Sequence, residues 1–259
     1  MIGIAIIAVV ILLGVYFNNA KKKEAVAENN ILITAGILQN NIAFFRKLNT
    51  NEKQQFENEV REFLSYVRIT GVNTPIDDLD RIFVAASAVI PVFAFPGWKY
   101  YNLREVLLYS DTINTEFQTE GEGRNILGMV GTGYMEGKML LSKFALQQGF
   151  KNESDKNNTA IHEFVHLIDK ADGDTDGIPQ QLLAKQYSIP WLDMTYQQMQ
   201  EILKGKSDIN PYGATNKAEF FAVVSEYFFE RPDLLEQKHP ELYNLLQEIF
   251  KQDPKRRES

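Results

Sequence analysis

Residues 160–169 read AIHEFVHLID and contain the pattern H-E-x-x-H. If this stretch is helical, the spacing puts His162 and His166 one turn apart on the same face, where both imidazoles can bind one divalent cation. Glu163 is rotated by about 100° from His162, so its carboxylate is directed at a metal-bound water instead of at the metal. The pattern therefore predicts a metal centre on a helix.

Composition favours the metal centre over a chance match on an ordinary helix. The remaining residues of the stretch are mostly apolar, so the helix is expected to be buried nearly all round. Buried imidazole and carboxylate groups without partners would each cost roughly a few kcal/mol, which a bound metal would offset. The chain has only three histidines, two of them here, and no cysteine. Thiolate zinc sites, disulfides and cysteine nucleophiles are therefore excluded.

A third ligand is predicted from a second apolar stretch. Residues 218–230 read AEFFAVVSEYFFE, and Glu219 and Glu226 lie seven residues apart, on one face of a helix. Carboxylates buried in such a helix are rare unless they are paired or metal-bound. Spacing alone leaves open which of the two binds the metal, and His239, in a polar stretch, is less favoured. Two histidines, one glutamate and a water form an established catalytic zinc set.

Length and charge limit the classes of protein. The 259 residues, 44% of them hydrophobic and 24% charged, suit a globular protein with one core or with two lobes that share a cleft. The net charge of −7 argues against a surface for phosphate, so no nucleic-acid partner is expected.

The N-terminus predicts a membrane anchor. Residues 2–17 are almost all apolar, and lysines follow at 21–23. A cleaved signal peptide would carry its positive charge before the apolar run, and a core helix would have a polar face. The preferred interpretation is a single-pass transmembrane helix over residues 1–19, followed by a polar tether over residues 20–30. Lysines after the helix would keep the catalytic domain in the cytoplasm, at the inner (cytoplasmic) membrane.

Residues 31–259 are predicted to form the metal-binding domain. Its helical lobe, residues 31–99, contains helices over 31–48, after an N-cap at Thr50, and from Ile76 or Asp77 to Val89, ended by Pro91 and the following Pro96-Gly97. Its metal-site core, residues 100–259, contains a small sheet from strands near 105–109, 126–134 and 139–144. Residues 131–134 or 139–142 are candidates for an edge strand that takes a peptide as an added strand, or for plain scaffold.

An acid-rich loop follows the H-E-x-x-H stretch. Residues 172–179 read DGDTDGIP, which partly matches an EF-hand calcium loop but lacks the glutamate at the twelfth position. A turn that leaves the metal helix is the preferred interpretation.

These stretches together resemble the MtfA-type zinc-dependent peptidases, a gluzincin-like family of H-E-x-x-H metallopeptidases. The resemblance is specific from about residue 100 to residue 250, where it covers the metal helix, the acid-rich loop, Asn210-Pro211-Tyr212 and residues 218–229. It implies an α+β fold, mainly helical and zincin-like, with a small β-sheet beside the metal helix. It also implies that Zn²⁺ is bound by His162, His166 and Glu219, and that Tyr212 donates a hydrogen bond to the oxyanion.

The resemblance also implies a function. Members are associated with aminopeptidase-like activity on peptides or proteins and with binding of a transcriptional regulator; the apolar N-terminus departs from typical members. The chain is accordingly predicted to be a zinc-dependent peptidase with Glu163 as general base, and Glu226 or Asp169 is expected to orient a ligand imidazole. The alternatives are a membrane-tethered regulatory binding protein with a structural or vestigial zinc site and a metal hydrolase that acts on other bonds.

Overall fold

The computed structural model describes residues 35–114, 126–152 and 155–255. Helices dominate this part of the chain: α1 (Ala35–Asn41), α2 (Ala43–Arg46), α3 (Thr50–Tyr66), α4 (Asp78–Val92), α5 (Lys143–Lys151), α6 (Thr159–Asp169), α7 (Ser188–Leu203), α8 (Lys217–Glu230), α9 (Pro232–Lys238) and α10 (Pro240–Phe250). Four strands accompany them: β1 (Arg68–Val72), β2 (Glu105–Tyr109), β3 (Gly128–Val130) and β4 (Lys138–Ser142). Four short 3-10 helices lie at Gly133–Met135, Lys170–Asp172, Lys185–Tyr187 and Pro211–Ala214.

The strands form one mixed sheet in the order β1-β2-β4-β3. Strands β1, β2 and β4 are parallel, whereas β3 is antiparallel to β4, with Met129 opposite Leu140. The predicted α+β class and small sheet are therefore confirmed. Strand β4 is paired on both sides, so the hypothesis that residues 139–142 form a free edge is wrong. Residues 131–134 lie after β3, and β3 itself is one of the two edge strands, with β1 at the other edge.

Polar side chains define where α3 and α4 begin. The Asn49 side chain accepts a hydrogen bond from the Glu52 N–H, and the Glu52 carboxylate accepts one from the Asn49 N–H. Asp77 and Asp80 form the same reciprocal pair at the start of α4. Such capping boxes satisfy backbone donors that the first helical turn leaves unpaired. The predicted cap at Thr50 is wrong by one residue, because Thr50 is already helical.

Pro91 does not end α4 as predicted but lies in its last turn. The helix end is stabilised by side-chain donors from other parts of the chain. The Tyr100 hydroxyl donates to the Ala88 carbonyl at 2.7 Å, and the Gln252 amide donates to the Ile90 carbonyl at 2.9 Å. These long-range partners satisfy carbonyls that the end of a helix leaves unpaired, and no local pattern predicts them.

Helix α6 lies in the centre of an aromatic core. The ring of Phe164 lies 5.7 Å from that of Phe63 on α3 and 5.2 Å from that of Tyr100. Helix α8 also packs against α6 and contributes Phe221, whose ring lies 5.6 Å from that of Trp191. Packing on several sides fixes the rotation of α6 and therefore the direction of its histidines. The predicted boundary between lobes at residue 100 stays a prediction.

The predicted membrane location is corrected by the helix lengths. Within the described residues, no helix is both long and apolar enough to cross a bilayer. The apolar helix α4 has 15 residues, or about 22 Å at 1.5 Å per residue, against a hydrocarbon core of about 30 Å. By this criterion the predicted inner-membrane location is wrong. The segment on which it rested, residues 1–19, lies outside the described residues.

Candidate metal centre

Helix α6 begins at a side-chain cap and carries three polar residues on one side. The Asn158 side chain accepts a hydrogen bond from the Ile161 N–H at 3.1 Å, which fixes the first turn. His162 and Glu163 are buried, and His166 one turn later is partly exposed. The predicted helix and the shared face of the two histidines are therefore present.

Three side chains bring one nitrogen or oxygen atom each to the same point. The Nε2 atoms of His162 and His166 are 3.1 Å apart. Glu219, in the first turn of α8, places Oε2 at 3.0 Å from His162 Nε2 and at 3.4 Å from His166 Nε2. All three atoms lie within 4.8 Å of one another. The structure thus brings together the three residues that the sequence and the resemblance predict as ligands.

The hydrogen bonds of His162 show that this arrangement suits a cation. Glu226 Oε1 lies 2.7 Å from His162 Nδ1, so Nδ1 carries the proton that this bond requires. In the neutral ring, Nε2 then presents a lone pair towards Glu219 Oε2 and His166 Nε2. Two imidazole nitrogens and one carboxylate oxygen directed at one point are atoms that commonly bind a metal, so the residues fit a metal ion.

The hydrogen bonds between these imidazole and carboxylate groups also shift the pKa values of His162 and Glu219. Burial lowers the pKa of His162, but its hydrogen bonds with Glu219 and Glu226 outweigh burial and raise the pKa to about 10. Burial raises the pKa of Glu219, but hydrogen bonds with His162 and His166 hold the pKa well below its usual range. Without a bound metal, the cluster takes up a proton where a metal would supply the positive charge.

Glu163 lies beside the three ligand atoms and against strand β3. The residue is 5% exposed, and burial raises the pKa of its carboxyl group although the nearby histidines oppose the shift. A Cβ atom at Gly128 would lie 2.7 Å from Glu163 Oε1, so any larger residue would displace the carboxylate. Gly128 was not predicted as a site residue, although an isolated glycine in a strand often marks such a close approach.

Tyr212 reaches the cluster from the short helix Pro211–Ala214. The Asn210 side chain accepts a hydrogen bond from the Tyr212 N–H at 3.0 Å and fixes the start of this helix. The Tyr212 ring lies 6.1 Å from that of His162, and its hydroxyl donates a hydrogen bond to Glu219. Partial burial and the charges of Glu219 and Glu163 raise the pKa of the Tyr212 hydroxyl, so this group is a proton donor near neutral pH.

A cleft opens on both sides of these residues. One cavity, of about 600 Å³, extends along the second half of α6 and the start of α8, and includes Lys170 and Asp176 in its lining. A second cavity, of about 440 Å³, extends towards the start of α6 and includes Asn157 and Asn210. His162, Glu163, Tyr212, Gly128 and Ile126 line both cavities. The candidate centre therefore lies in the middle of an elongated cleft.

Comparison with known proteins decides the family. The model of the glucose-regulated metallo-peptidase M90 family matches residues 17–251. The chain belongs to this family. The predicted family is thereby confirmed, and membership supports a metallopeptidase with a bound metal.

Individual relatives of this M90 chain share less than a third of its residues. An uncharacterised protein of Synechocystis sp. is 28% identical over 229 residues, which cover 84% of this chain and 83% of the relative. Mlc titration factor A of Pectobacterium atrosepticum is 27% identical over 228 residues, 82% of this chain and 84% of the relative. Mlc titration factor A of Cronobacter sakazakii is 28% identical over 224 residues, 80% and 82% respectively.

Behind the ligand atoms, Glu226 joins α8 to the start of the metal helix. Besides accepting from His162 Nδ1, its carboxylate accepts a hydrogen bond from the Asn158 N–H at 2.6 Å. The Asn158 side chain in turn donates to Glu230 at 2.8 Å. Of the two residues expected to orient a ligand imidazole, Glu226 is therefore the one in contact with it. The role of Asn158 in connecting both helices was not predicted from the sequence.

Asp169 makes a different contact. Its Oδ2 atom accepts a hydrogen bond from the Gly177 N–H at 2.8 Å, which holds the end of the acid-rich loop against α6. Burial raises the pKa of Asp169 to about 6. His239 lies away from the centre, where its Nε2 atom is 2.7 Å from Asp208 Oδ1. Neither residue is placed among the three ligand atoms.

Proposed function

We propose that this M90 chain is a zinc-dependent peptidase with aminopeptidase-like activity. The observation that carries the proposal is the convergence of His162 Nε2, His166 Nε2 and Glu219 Oε2 beside a buried Glu163, in the middle of a cleft. Two imidazoles and one carboxylate suit zinc, which is borderline-soft and accepts both nitrogen and oxygen ligands. Three protein ligands leave a fourth position for water or substrate, as in catalytic sites.

Zinc would be held by His162, His166 and Glu219. A bound zinc ion supplies Lewis acidity, which lowers the pKa of a water molecule to about 7 and polarises the scissile carbonyl. Glu226 fixes the tautomer of His162 by accepting its Nδ1 proton, so that Nε2 remains available as a ligand.

Glu163 is the proposed general base. It accepts the proton of the attacking water and passes it to the leaving amine. A carboxylate with a raised pKa suits this task, because the group must both take and give a proton near neutral pH. Gly128 leaves the space in which the Glu163 side chain lies.

Tyr212 is the proposed oxyanion donor. Its hydroxyl already donates to the Glu219 carboxylate and is partly exposed to the cleft, so it can reach a substrate oxygen beside the metal position. Loss of one such donor typically lowers the rate about 10²–10³-fold.

Strand β3 supplies a peptide-binding edge for this proposal. Its hydrogen bonds to β4 use the N–H of Gly131 and the carbonyl of Leu127. In an antiparallel pair, alternate residues of a strand turn their backbone groups away from the partner strand. Gly128 and Val130 therefore present N–H and C=O groups at the other edge. No described strand pairs with that edge. An extended peptide that adds to β3 would pass Glu163, which Gly128 contacts.

Glu163→Gln tests the catalytic role. The variant keeps the shape of the side chain but removes its basicity, so zinc content should stay at the wild-type level while turnover falls about 10²–10⁴-fold. Turnover would be measured on a panel of peptide arylamides with free and blocked N-termini, and by proteome-wide mapping of cleavage sites. Preference for free N-termini supports aminopeptidase-like activity.

Glu241→Gln is the matched control, because Glu241 is an exposed carboxylate in the first turn of α10. It should change neither zinc content nor turnover. Equal cleavage by wild type and Glu163→Gln would contradict the assignment of Glu163. Zinc content at the wild-type level together with activity only on other bonds would favour a non-peptidase metal hydrolase.

A second candidate function rests on the names of the relatives. Mlc titration factor A is named for the titration of Mlc, and the resemblance implies a transcriptional regulator as partner. Under this candidate, the chain binds such a regulator and the metal stabilises the binding surface. Glu163→Gln distinguishes the two, because it should leave regulator binding unchanged and abolish only peptide turnover.

A further inference from the structure

A loop rich in carboxylates follows the metal helix directly. Asp169, Asp172, Asp174 and Asp176 lie within eight residues. Among the described residues, no lysine, arginine or histidine forms an ion pair with any of the four. Lys170, which lies between them in sequence, is paired with Glu136 at 2.9 Å. The loop therefore concentrates negative charge that no described side chain neutralises.

Two carboxylate oxygens in this loop are buried without a hydrogen-bond donor. Asp169 is fully buried; its Oδ2 atom accepts from the Gly177 N–H, whereas Oδ1 has no partner in the described part of the chain. Asp172 Oδ1 accepts from the Asp174 N–H at 3.2 Å, and its Oδ2 atom is likewise buried and unpaired. A buried anionic oxygen without a donor costs free energy, so each of these atoms requires a positive partner.

Asp169 and Asp172 lie one turn apart along the chain. Asp169 ends α6, and the 3-10 helix Lys170–Asp172 follows without a break. Residues three positions apart eclipse each other in a 3-10 helix, so the Asp169 and Asp172 side chains are neighbours. Gly173, with a φ of 111°, then turns the chain so that Asp174 and Asp176 follow on the same short loop.

We propose that the loop over residues 169–177 binds a hard divalent cation of the calcium class, at a site separate from the His162–His166–Glu219 centre. Asp169 Oδ1 and Asp172 Oδ2 would be its side-chain ligands. The donors are oxygen atoms alone, which suit calcium or magnesium and do not suit zinc.

The site is not an EF-hand. The twelfth position counted from Asp172 is Leu183, where an EF-hand has a bidentate glutamate. The loop carboxylates also do not converge as three side chains on one point, unlike the metal centre. Backbone carbonyls and water therefore complete the six to eight oxygen ligands that calcium takes.

A cation here would fix one wall of the cleft. Thr175, Asp176 and Lys170 line the larger cavity. The Gly177 carbonyl accepts a hydrogen bond from Trp191 Nε1 at 2.6 Å, and a Cβ atom at Gly177 would lie 2.4 Å from the Lys217 carbonyl oxygen. The loop is thus held between α6, α7 and the first turn of α8, which carries Glu219.

Terbium luminescence tests the site without any assay of activity. Tb³⁺ replaces calcium at oxygen sites, and the contact between Trp191 and Gly177 brings an indole close enough to the loop to sensitise emission. The zinc-loaded protein should show sensitised emission that excess Ca²⁺ displaces. Ca²⁺ should also raise the Tm of the zinc-loaded protein, because it binds the folded state.

Asp172→Asn should weaken Tb³⁺ and Ca²⁺ binding by at least about tenfold, because one charged ligand is lost. Its zinc content should match that of the wild type, which shows that the fold is intact. Asp193→Asn, at an exposed carboxylate on α7, is the control and should bind as the wild type does. The double variant His162→Ala and His166→Ala should keep the emission.

Three results would overturn the proposal. The first is a wild-type protein that shows no sensitised emission and no Ca²⁺-dependent shift in Tm. The second is equal Tb³⁺ and Ca²⁺ binding by the wild type and Asp172→Asn. The third is loss of emission in the histidine double variant. The peptidase proposal fails independently, through the turnover of Glu163→Gln.

Discussion

The first and third turns of α8 carry the same residue type and contact the same imidazole, but on opposite nitrogens. Glu219 Oε2 lies 3.0 Å from His162 Nε2, and Glu226 Oε1 lies 2.7 Å from His162 Nδ1. Glu219 also approaches His166, whereas Glu226 is buried and accepts the Asn158 N–H. The ring nitrogen that a carboxylate faces, and not its residue type, separates a candidate metal ligand from a group that orients one.

The largest expected effect is the loss of zinc binding when Glu219, in the first turn of α8, is replaced. Glu219→Ala removes one of three proposed ligands, so the protein should no longer retain zinc through gel filtration in the presence of a weak chelator. The fold should persist, because the Glu219 side chain is partly exposed and its helix is packed through Phe220 and Phe221. Metal content by mass spectrometry and the Tm of the metal-free variant check both points. Retention of stoichiometric zinc would exclude Glu219 as a ligand.

A smaller loss of zinc affinity is expected when Glu226, in the third turn of α8, is replaced. Glu226→Gln keeps an oxygen near His162 Nδ1 but removes the charge, and changes of this kind typically weaken metal binding about 10–100-fold. Chelator competition measures the affinity, with Glu241→Gln as control. If Glu226→Gln lost zinc as completely as Glu219→Ala, both carboxylates would be needed equally for zinc binding. The distinction between Glu219 as a ligand and Glu226 as a group that orients one would then be wrong.

The smallest expected effect is a change in the stability of the metal-free protein with pH. The pKa of His162 rises from 6.5 to about 10 in the folded state, so the proton stabilises the fold fully below about pH 6.5. This stabilisation is lost as the pH rises from about 6.5 to 10. Zinc takes the place of this proton, so the zinc-loaded protein should not lose this contribution.

Thermal unfolding of both forms between pH 6.5 and 9.5 measures this difference. The Tm gap between zinc-loaded and metal-free protein should widen as the pH rises. In Glu226→Gln the pH range over which the Tm gap widens should narrow, because one of the three carboxylates that raise the pKa of His162 has lost its charge. A Tm gap that does not change with pH would contradict the conclusion that, without metal, a proton on His162 supplies the positive charge of the centre.

Sequence patterns with local causes predicted the structure best. The H-E-x-x-H helix, the strand over Glu105–Tyr109 and the helix start at Asp77 all depend on residues within a few positions. Strand β1 and helix α5 were not predicted. Their stretches are short, and β1 depends on pairing with β2, which lies more than thirty residues later in the chain.

The errors also have physical reasons. Pro91 does not end α4 but lies in its last turn, near which the carbonyls of Ala88 and Ile90 accept hydrogen bonds from Tyr100 and Gln252. The edge strands of the sheet are β1 and β3 and not β4, because strand order depends on packing between distant segments. Sequence alone also could not show that Gly128 approaches Glu163, since the contact joins a strand to a separate helix.

The sequence by itself determined which chemistry this chain can carry. Two histidines at a helical spacing, a glutamate between them and the absence of cysteine restrict the centre to imidazole and carboxylate ligands. Only the tertiary structure decided which carboxylate faces Nε2. Glu219 lies 57 residues from His162, and the packing of α8 against α6 turns its first turn to Nε2 and its third to Nδ1. Spacing fixes neighbours within one helix, whereas contacts between helices depend on how the whole core packs.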